Sequence, residues 1–200
     1  MTKLAFNKSS LSERKRDLDI YARFLPPLDL KRRQILIERN RARAALEAVK
    51  GRLEERMAGV GELIPMLSNR NISLDQLIEV AAARVGQQNL VGVTLPVFES
   101  VDFSVRPYGF LAKPHWVDRV VEELRECSAL HLERQVMEER LRRLEQAAKK
   151  LTQRVNLFDK VLIPRTKAEI REIEIYLSDA ERAEVVRSKM AKKKHTGAGL

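Results

Sequence analysis

The chain has 200 residues, a formal charge of +10, 44% hydrophobic and 33% charged residues, and only 5% aromatics. That length allows one domain or two small ones, the apolar content excludes disorder throughout, and the excess of Ala, Glu, Leu, Lys and Arg points to long helices or a coiled coil. A single cysteine, Cys127, excludes an intramolecular disulfide and fits a reducing compartment; the basic excess favours an acidic partner, whether nucleic acid, an anionic membrane surface or an acidic protein.

The N-terminus, MTKLAFNKSS, lacks the apolar core of a signal peptide. No stretch approaches the ~18 apolar residues of a membrane span, so the chain is expected in the cytoplasm, meeting a membrane only through partners. Ser10 and Glu13 make a capping-box pair, which predicts a helix from Leu11 to about Phe24, kinked or broken at Pro26 and Pro27. From Leu25 to Leu67, alternate steps of three and four residues land on apolar side chains at ten of thirteen positions, among them Leu46, Val49 and Leu53. This is the seam of a helix that grips another helix.

Residues 68–112 differ in character. Ser73 and Gln76 form a second capping box and Gly86 a C-cap, so LDQLIEVAAARV reads as a short helix. Val91, Val93 and Leu95 alternate with other residues, as do Val101, Phe103 and Val105, with Glu99 and Ser100 between the two runs. Residues 90–105 therefore read as a β-hairpin, with Pro96 on an open edge.

The last segment opens at Pro114, His115 and Trp116, with Asp118, Glu122 and Glu123 suited to a helix N-terminus. Its strongest seam is Met137, Leu141, Leu144, Ala148, Leu151, Val155, Phe158 and Leu162, all apolar. Pro164 predicts a local bend, beyond which Ile170, Ile173 and Leu177 continue the pattern. The tail AKKKHTGAGL reads as unstructured. The predicted fold is mainly α: a long antiparallel two-helix coiled coil with a central insert containing a short helix and a β-hairpin. Its parts are an N-terminal coiled-coil helix over 1–67, the insert over 68–112, a C-terminal coiled-coil helix over 113–190 and a disordered tail over 191–200. A period of 3.5 residues predicts a left-handed twist for the pair.

No phosphate-binding GxxxxGK[ST] or GxGxxG run is present, nor HExxH, nor paired CxxC. Cys127 and His131 are four apart on one helix face but lack further ligands nearby, so helix packing is the plainer reading and no metal or cofactor is expected. The carboxylates lie among basic residues at helix spacing, as in a solvated face of i,i+4 pairs, and no catalytic residue is assigned. Three basic runs, Arg14-Lys15-Arg16, Lys31-Arg32-Arg33 and Lys192-Lys193-Lys194, suit phosphates in principle. They lack interleaved aromatics and a DNA-binding motif, which favours solubility or an acidic protein partner over nucleic acid.

The stretch RVNLFDKVLIP, followed by IREIEIYLSDAERAEVVRSKMAKKK, resembles the C-terminal signature of the D subunit of V-type (vacuolar and archaeal-type) ATPases, in a bacterial form. The matching residues are Arg154, Val155 and Asn156; Ile163 and Pro164; Ile170 and Ile173; Glu181 and Arg182; then Lys189 and Lys192. NKSSL at 7–11 and LKRRQIL at 30–36 resemble the family's N-terminal motifs more loosely, with Gln34 in place of the usual Asp and an unusual Pro26-Pro27 pair.

The resemblance implies a non-catalytic central-stalk rotor shaft that couples ATP synthesis or hydrolysis to proton or sodium transport. Its partners would be the catalytic (A) and non-catalytic (B) nucleotide-binding subunits, the small F subunit of the stalk and the funnel subunit on the membrane ring. The implied location is cytoplasmic, peripheral to the cell membrane through the complex. Within that reading Leu151, Val155, Phe158 and Leu162 hold the shaft together, Arg154 and Asn156 face the ring, and the bend at Pro164 shapes the shaft's asymmetry. Lys31, Arg32, Arg33, Arg182 and Lys189 are expected to meet acidic loops of the ring, and the hairpin to touch another stalk subunit or cap the coil. Without the resemblance, the residues alone favour a coiled-coil adaptor or chaperone, with a nucleic-acid-binding coiled coil as the other alternative.

Overall fold

The structure, a computed structural model, describes residues 5–61, 78–106 and 116–197. In chain order these form α1 (Lys8–Gly61), β1 (Ile78–Leu90), β2 (Val93–Val105), α2 (Trp116–Leu157), a π-helical turn (Phe158–Leu162) and α3 (Ile163–Gly197). The chain divides into two compact units. One comprises Met1–Lys31 with Lys150–Leu200, the other Arg32–Lys149. The predominantly helical architecture around an antiparallel hairpin agrees with the fold read from the sequence.

Helix α1 starts earlier than the sequence predicts. The Asn7 side-chain oxygen accepts the Ser10 backbone N–H at 2.7 Å, and Leu11 N–H bonds to Asn7 carbonyl at 3.1 Å. Asn7 is therefore the N-cap, not Ser10, because its short amide reaches the third orphan donor of the first turn. The helix then runs unbroken through Pro26 and Pro27 for 54 residues. Each proline withholds an N–H from the carbonyl four residues back, at Ala22 and Arg23. The half-buried Leu25 and Leu28 on either side show that packing continues across the defect.

In the unit Arg32–Lys149, α1 and α2 are antiparallel. Arg43 pairs with Glu145 at 3.3 Å, Arg52 with Glu133 at 3.1 Å, and Arg56 with Glu126 at 2.6 Å. Ile35, Ala42, Leu46, Val49 and Leu53 are buried on α1, Leu144 and Ala148 on α2. Burial of each such Leu, Ile or Val contributes about 1.5–3 kcal/mol relative to exposure.

The hairpin departs from the sequence reading in two ways. Residues 78–85, expected in a short helix, are strand; the proposed cap at Ser73 and Gln76 lies outside the described residues. Ala-rich sequence favours helix only weakly, and pairing with the β-branched and aromatic β2 overrides it. The turn is at Val91-Gly92, not Glu99-Ser100: Leu90 pairs with Val93 and Ile78 with Val105. Val91 (φ 53°) and Gly92 (φ 85°) both have positive φ, as a two-residue type I′ turn requires. The Asn89 side-chain oxygen accepts the Gly92 N–H at 3.0 Å and locks the turn. Register shifts fall between Val80 and Ala82 and between Arg84 and Val85, where bulges increase local twist.

Helix α3 extends to Gly197, so residues 191–197 are helical where the sequence predicted a disordered tail. Ala191 and the lysines after it are good helix formers that extend an existing helix at little cost.

Candidate functional site

Two surfaces carry the residues singled out by the sequence. In the unit Arg32–Lys149, the hairpin is held along α2 at both ends. Val117 and Val121 form a buried cluster against which Ile78, Val105 and Trp116 pack. Near the turn, Arg140 donates to Pro96 carbonyl at 3.3 Å and to Gln88 at 2.9 Å, and Arg143 donates to Thr94 carbonyl at 3.1 Å. Thirteen-residue strands span ~40 Å, close to the ~39 Å between Val117 and Arg143 on a helix, so one helix reaches both ends. Leu95 and Pro96 are buried, which places the proline against protein.

Glu139 orients Arg143 and the adjacent Arg142. Its carboxylate accepts from Arg142 at 2.6 and 2.8 Å and from Arg143 at 2.8 Å. Those hydrogen bonds, Arg142 first and then Arg143, hold its pKa down at about 2.

The same unit holds an apolar groove of about 600 Å³, lined by Leu53, Met57, Val80, Leu124, Cys127 and His131 among others. Burial, then the neighbouring Glu123, pushes the Cys127 thiol up, which favours the protonated, unreactive form. His131 meets Gln135 at 3.1 Å. Cys127 and His131 both line this groove.

The second surface belongs to the unit that joins the N-terminal part of α1 to the C-terminal helices. Here too the helices are antiparallel: Arg14 pairs with Glu169 at 3.4 Å, Lys15 with Glu174 at 2.7 Å and Lys8 with Glu181 at 3.3 Å. Tyr21 meets the edge of Phe158 with ring centroids 5.6 Å apart, and Phe6 lies 5.1 Å from Tyr176. Val155, Ile170 and Ile173 are buried; Leu151, Phe158 and Leu162 are half-buried, as is Leu141 in the other unit.

Arg154, Asn156 and Pro164 are exposed, as are Glu181, Arg182 and Lys189. Glu181 is held by Lys8, and Arg182 stands 3.9 Å from Asp179. Lys31 and Arg33 are exposed and Arg32 is half-buried. The polar residues and the proline of the C-terminal signature are thus exposed, while its Val155, Ile170 and Ile173 are buried. Sequence reasoning missed Arg140 and Arg143, which reach backbone carbonyls of the hairpin that leave no sequence signal, and Thr166, which is buried.

No helix among the described residues is long and apolar enough to cross a membrane. The family of the ATP synthase D subunit matches residues 10–193. The V-type ATP synthase D subunit of Borreliella burgdorferi is 30% identical over 192 residues, covering 96% of this chain and 95% of its own. That of Chlamydia muridarum is 31% identical over 198 residues, covering 96% of each. A shorter match, 39% over 109 residues, joins 54% of this chain to 52% of the Chlamydia felis protein. Near-complete coverage, together with helices flanking a central hairpin, places this chain in the ATP synthase D-subunit family.

Proposed function

We propose that this chain is the central-stalk shaft of a V-type ATP synthase, a non-catalytic component that couples nucleotide turnover to proton or sodium transport. Full-length membership of the D-subunit family carries the reading. The paired helices add a physical rationale, because a buried seam and cross-helix ion pairs stiffen a two-helix element against torsion. Such an element is not three-fold symmetric. Inside a ring of alternating A and B nucleotide-binding subunits it would bias each catalytic interface differently, and rotation would permute those biases.

Ile20, Phe24 and Leu30, 40–59% exposed, together with Arg154, Asn156 and the basic residues Lys31, Arg32, Arg33, Arg182 and Lys189, are the surface offered to the ring. Pro164 and the turn before it would shape its asymmetry. The hairpin and the groove beside Cys127 would receive the small F subunit of the stalk, with the funnel subunit linking the chain to the membrane ring. The chain would then lie in the cytoplasm, peripheral to the cell membrane.

A tagged copy of this chain, recovered from gently solubilised host membranes, tests the proposal. Co-purification of two large nucleotide-binding subunits and a small stalk subunit, with ATP hydrolysis in the eluate, is the expected result. Recovery of mixed clients or nucleic acid without those subunits would refute it and favour an adaptor or a nucleic-acid-binding coiled coil.

A further inference from the structure

We infer that the π-helical turn Phe158–Leu162 stores one surplus residue and thereby keeps the C-terminal helices in phase with α1. The inference does not depend on the rotor reading. On the N-terminal part of α1, the half-buried residues Leu11, Arg14, Leu18, Tyr21, Leu25 and Leu28 follow alternate steps of three and four without interruption. The facing stripe does not: Val155, Phe158, Leu162, Thr166, Ile170 and Ile173 are all at least half-buried, yet the steps are three, four, four, four and three. One residue more than the heptad repeat allows lies between Val155 and Ile173.

In a pair wound at 3.5 residues per turn, the period that the α1 seam follows, one extra residue rotates everything beyond it by about 100° relative to the seam. Ile170 and Ile173 would then leave the seam. Instead Ile173 is 0% and Ile170 8% exposed. The Ile163 N–H bonds to Phe158 carbonyl, five residues back, so the helix widens for one turn and the surplus is taken up there.

Contacts with α1 persist on both sides of the widening. Phe158, at its start, meets Tyr21; beyond it, Glu169, Glu174 and Glu181 meet Arg14, Lys15 and Lys8. Two neighbouring features stabilise the turn where it lies. Pro164 has no N–H to return to Lys160 carbonyl, so the α-type bond that the widening sacrifices does not exist at that position. The Thr166 hydroxyl donates to Leu162 carbonyl at 2.8 Å, which satisfies the one buried polar side chain among the described residues. A surplus residue is a known cause of local unwinding in paired helices; here the amount and the place are both visible.

Deletion of one residue tests this. Lys160 is exposed within the turn, and its deletion should turn the segment into continuous α-helix with the seam intact. Arg23 is exposed in the uninterrupted half of α1, where no surplus exists, and its deletion should break phase. The expected result is that the Lys160 deletion melts within about 5 °C of the parent, while the Arg23 deletion melts at least about 10 °C lower.

Zero-length carbodiimide coupling supplies a second readout on native residues. Lys15 to Glu174 and Lys8 to Glu181 should couple in the Lys160 deletion at yields within twofold of the parent. Deleting Asp159 instead of Lys160 should give the same outcome. Loss of coupling in both turn deletions, or an Arg23 deletion as stable as the parent, would overturn the inference.

Discussion

The two compact units bury their apolar side chains to different extents. In Arg32–Lys149, α1 contributes five buried residues, Ile35, Ala42, Leu46, Val49 and Leu53, and a hairpin covers part of α2. In the other unit, the described part of α1 up to Lys31 contributes no buried residue, and Ile20, Phe24 and Leu30 are 40%, 54% and 59% exposed. The seam spacing is equally regular in both stretches, so periodicity alone does not account for the difference. A regular seam on two helices buries only a narrow stripe, and Ile20, Phe24 and Leu30 lie off it. One unit adds a hairpin over α2, and the other presents its off-seam apolar side chains to whatever surrounds it.

Truncating the seam would sharpen this contrast most. Leu144→Ala and Ile173→Ala each remove a side chain that is 0% exposed. Each is expected to cost ~2–5 kcal/mol in urea unfolding, with the smaller loss where neighbours collapse into the cavity most easily. Phe24→Ser should change the stability of the isolated chain by no more than ~0.5 kcal/mol, yet lower recovery of the large ring subunits with tagged chain. An unchanged recovery would remove Phe24 from the ring-facing surface.

A smaller effect is expected at the hairpin turn. Val91 has φ 53°, a left-handed conformation that β-branched residues resist at about 1–3 kcal/mol. Val91→Asn should therefore raise stability by ~1 kcal/mol, read as a higher denaturant midpoint, since Asn-Gly suits a type I′ turn. A loss of stability would mean that the half-buried Val91 side chain matters more than its backbone.

The smallest effect is electrostatic. Glu139 has a folded-state pKa of about 2, below the ~4.3 of an unfolded glutamate. Its contribution is present above the unfolded value and is lost as pH falls through the folded one. Between about pH 4.5 and 2 the parent should therefore lose more stability than Glu139→Gln, measured as melting temperature against pH. The carboxylate is only half-buried, so the difference should shrink in high salt.

The long helices and the family signature were legible because each rests on a repeated or clustered pattern. Seam spacing located Ile35, Leu46, Val49 and Leu144, all buried. The hairpin's turn was not legible, because Val91-Gly92 lacks the Asn-Gly or Asp-Gly pair that marks a two-residue turn, while Glu99-Ser100 looks polar enough to be one. Strand β1 was hidden by its alanines and by a nearby capping pattern. The π-helical turn left a signal in the sequence, three consecutive steps of four, obscured because one of its positions is Thr166 rather than an apolar residue. Of the exposed signature residues, the sequence indicated which stand off the seam; what they touch depends on partners outside this chain.

The chain's one tryptophan, Trp116, packs on the Val117–Val121 cluster beside the open end of the hairpin. Its emission therefore reports on a single unit. Loss of the hairpin from α2 would shift that emission toward the red, while fraying between the N-terminal part of α1 and α3 would leave it unchanged. The second unit carries its own chromophores, Tyr21 against Phe158 and Phe6 against Tyr176. Tryptophan emission can thus follow one unit of an unlabelled chain, and any gap between its melting curve and that of the total helical signal measures how loosely the unfolding of the two units is linked.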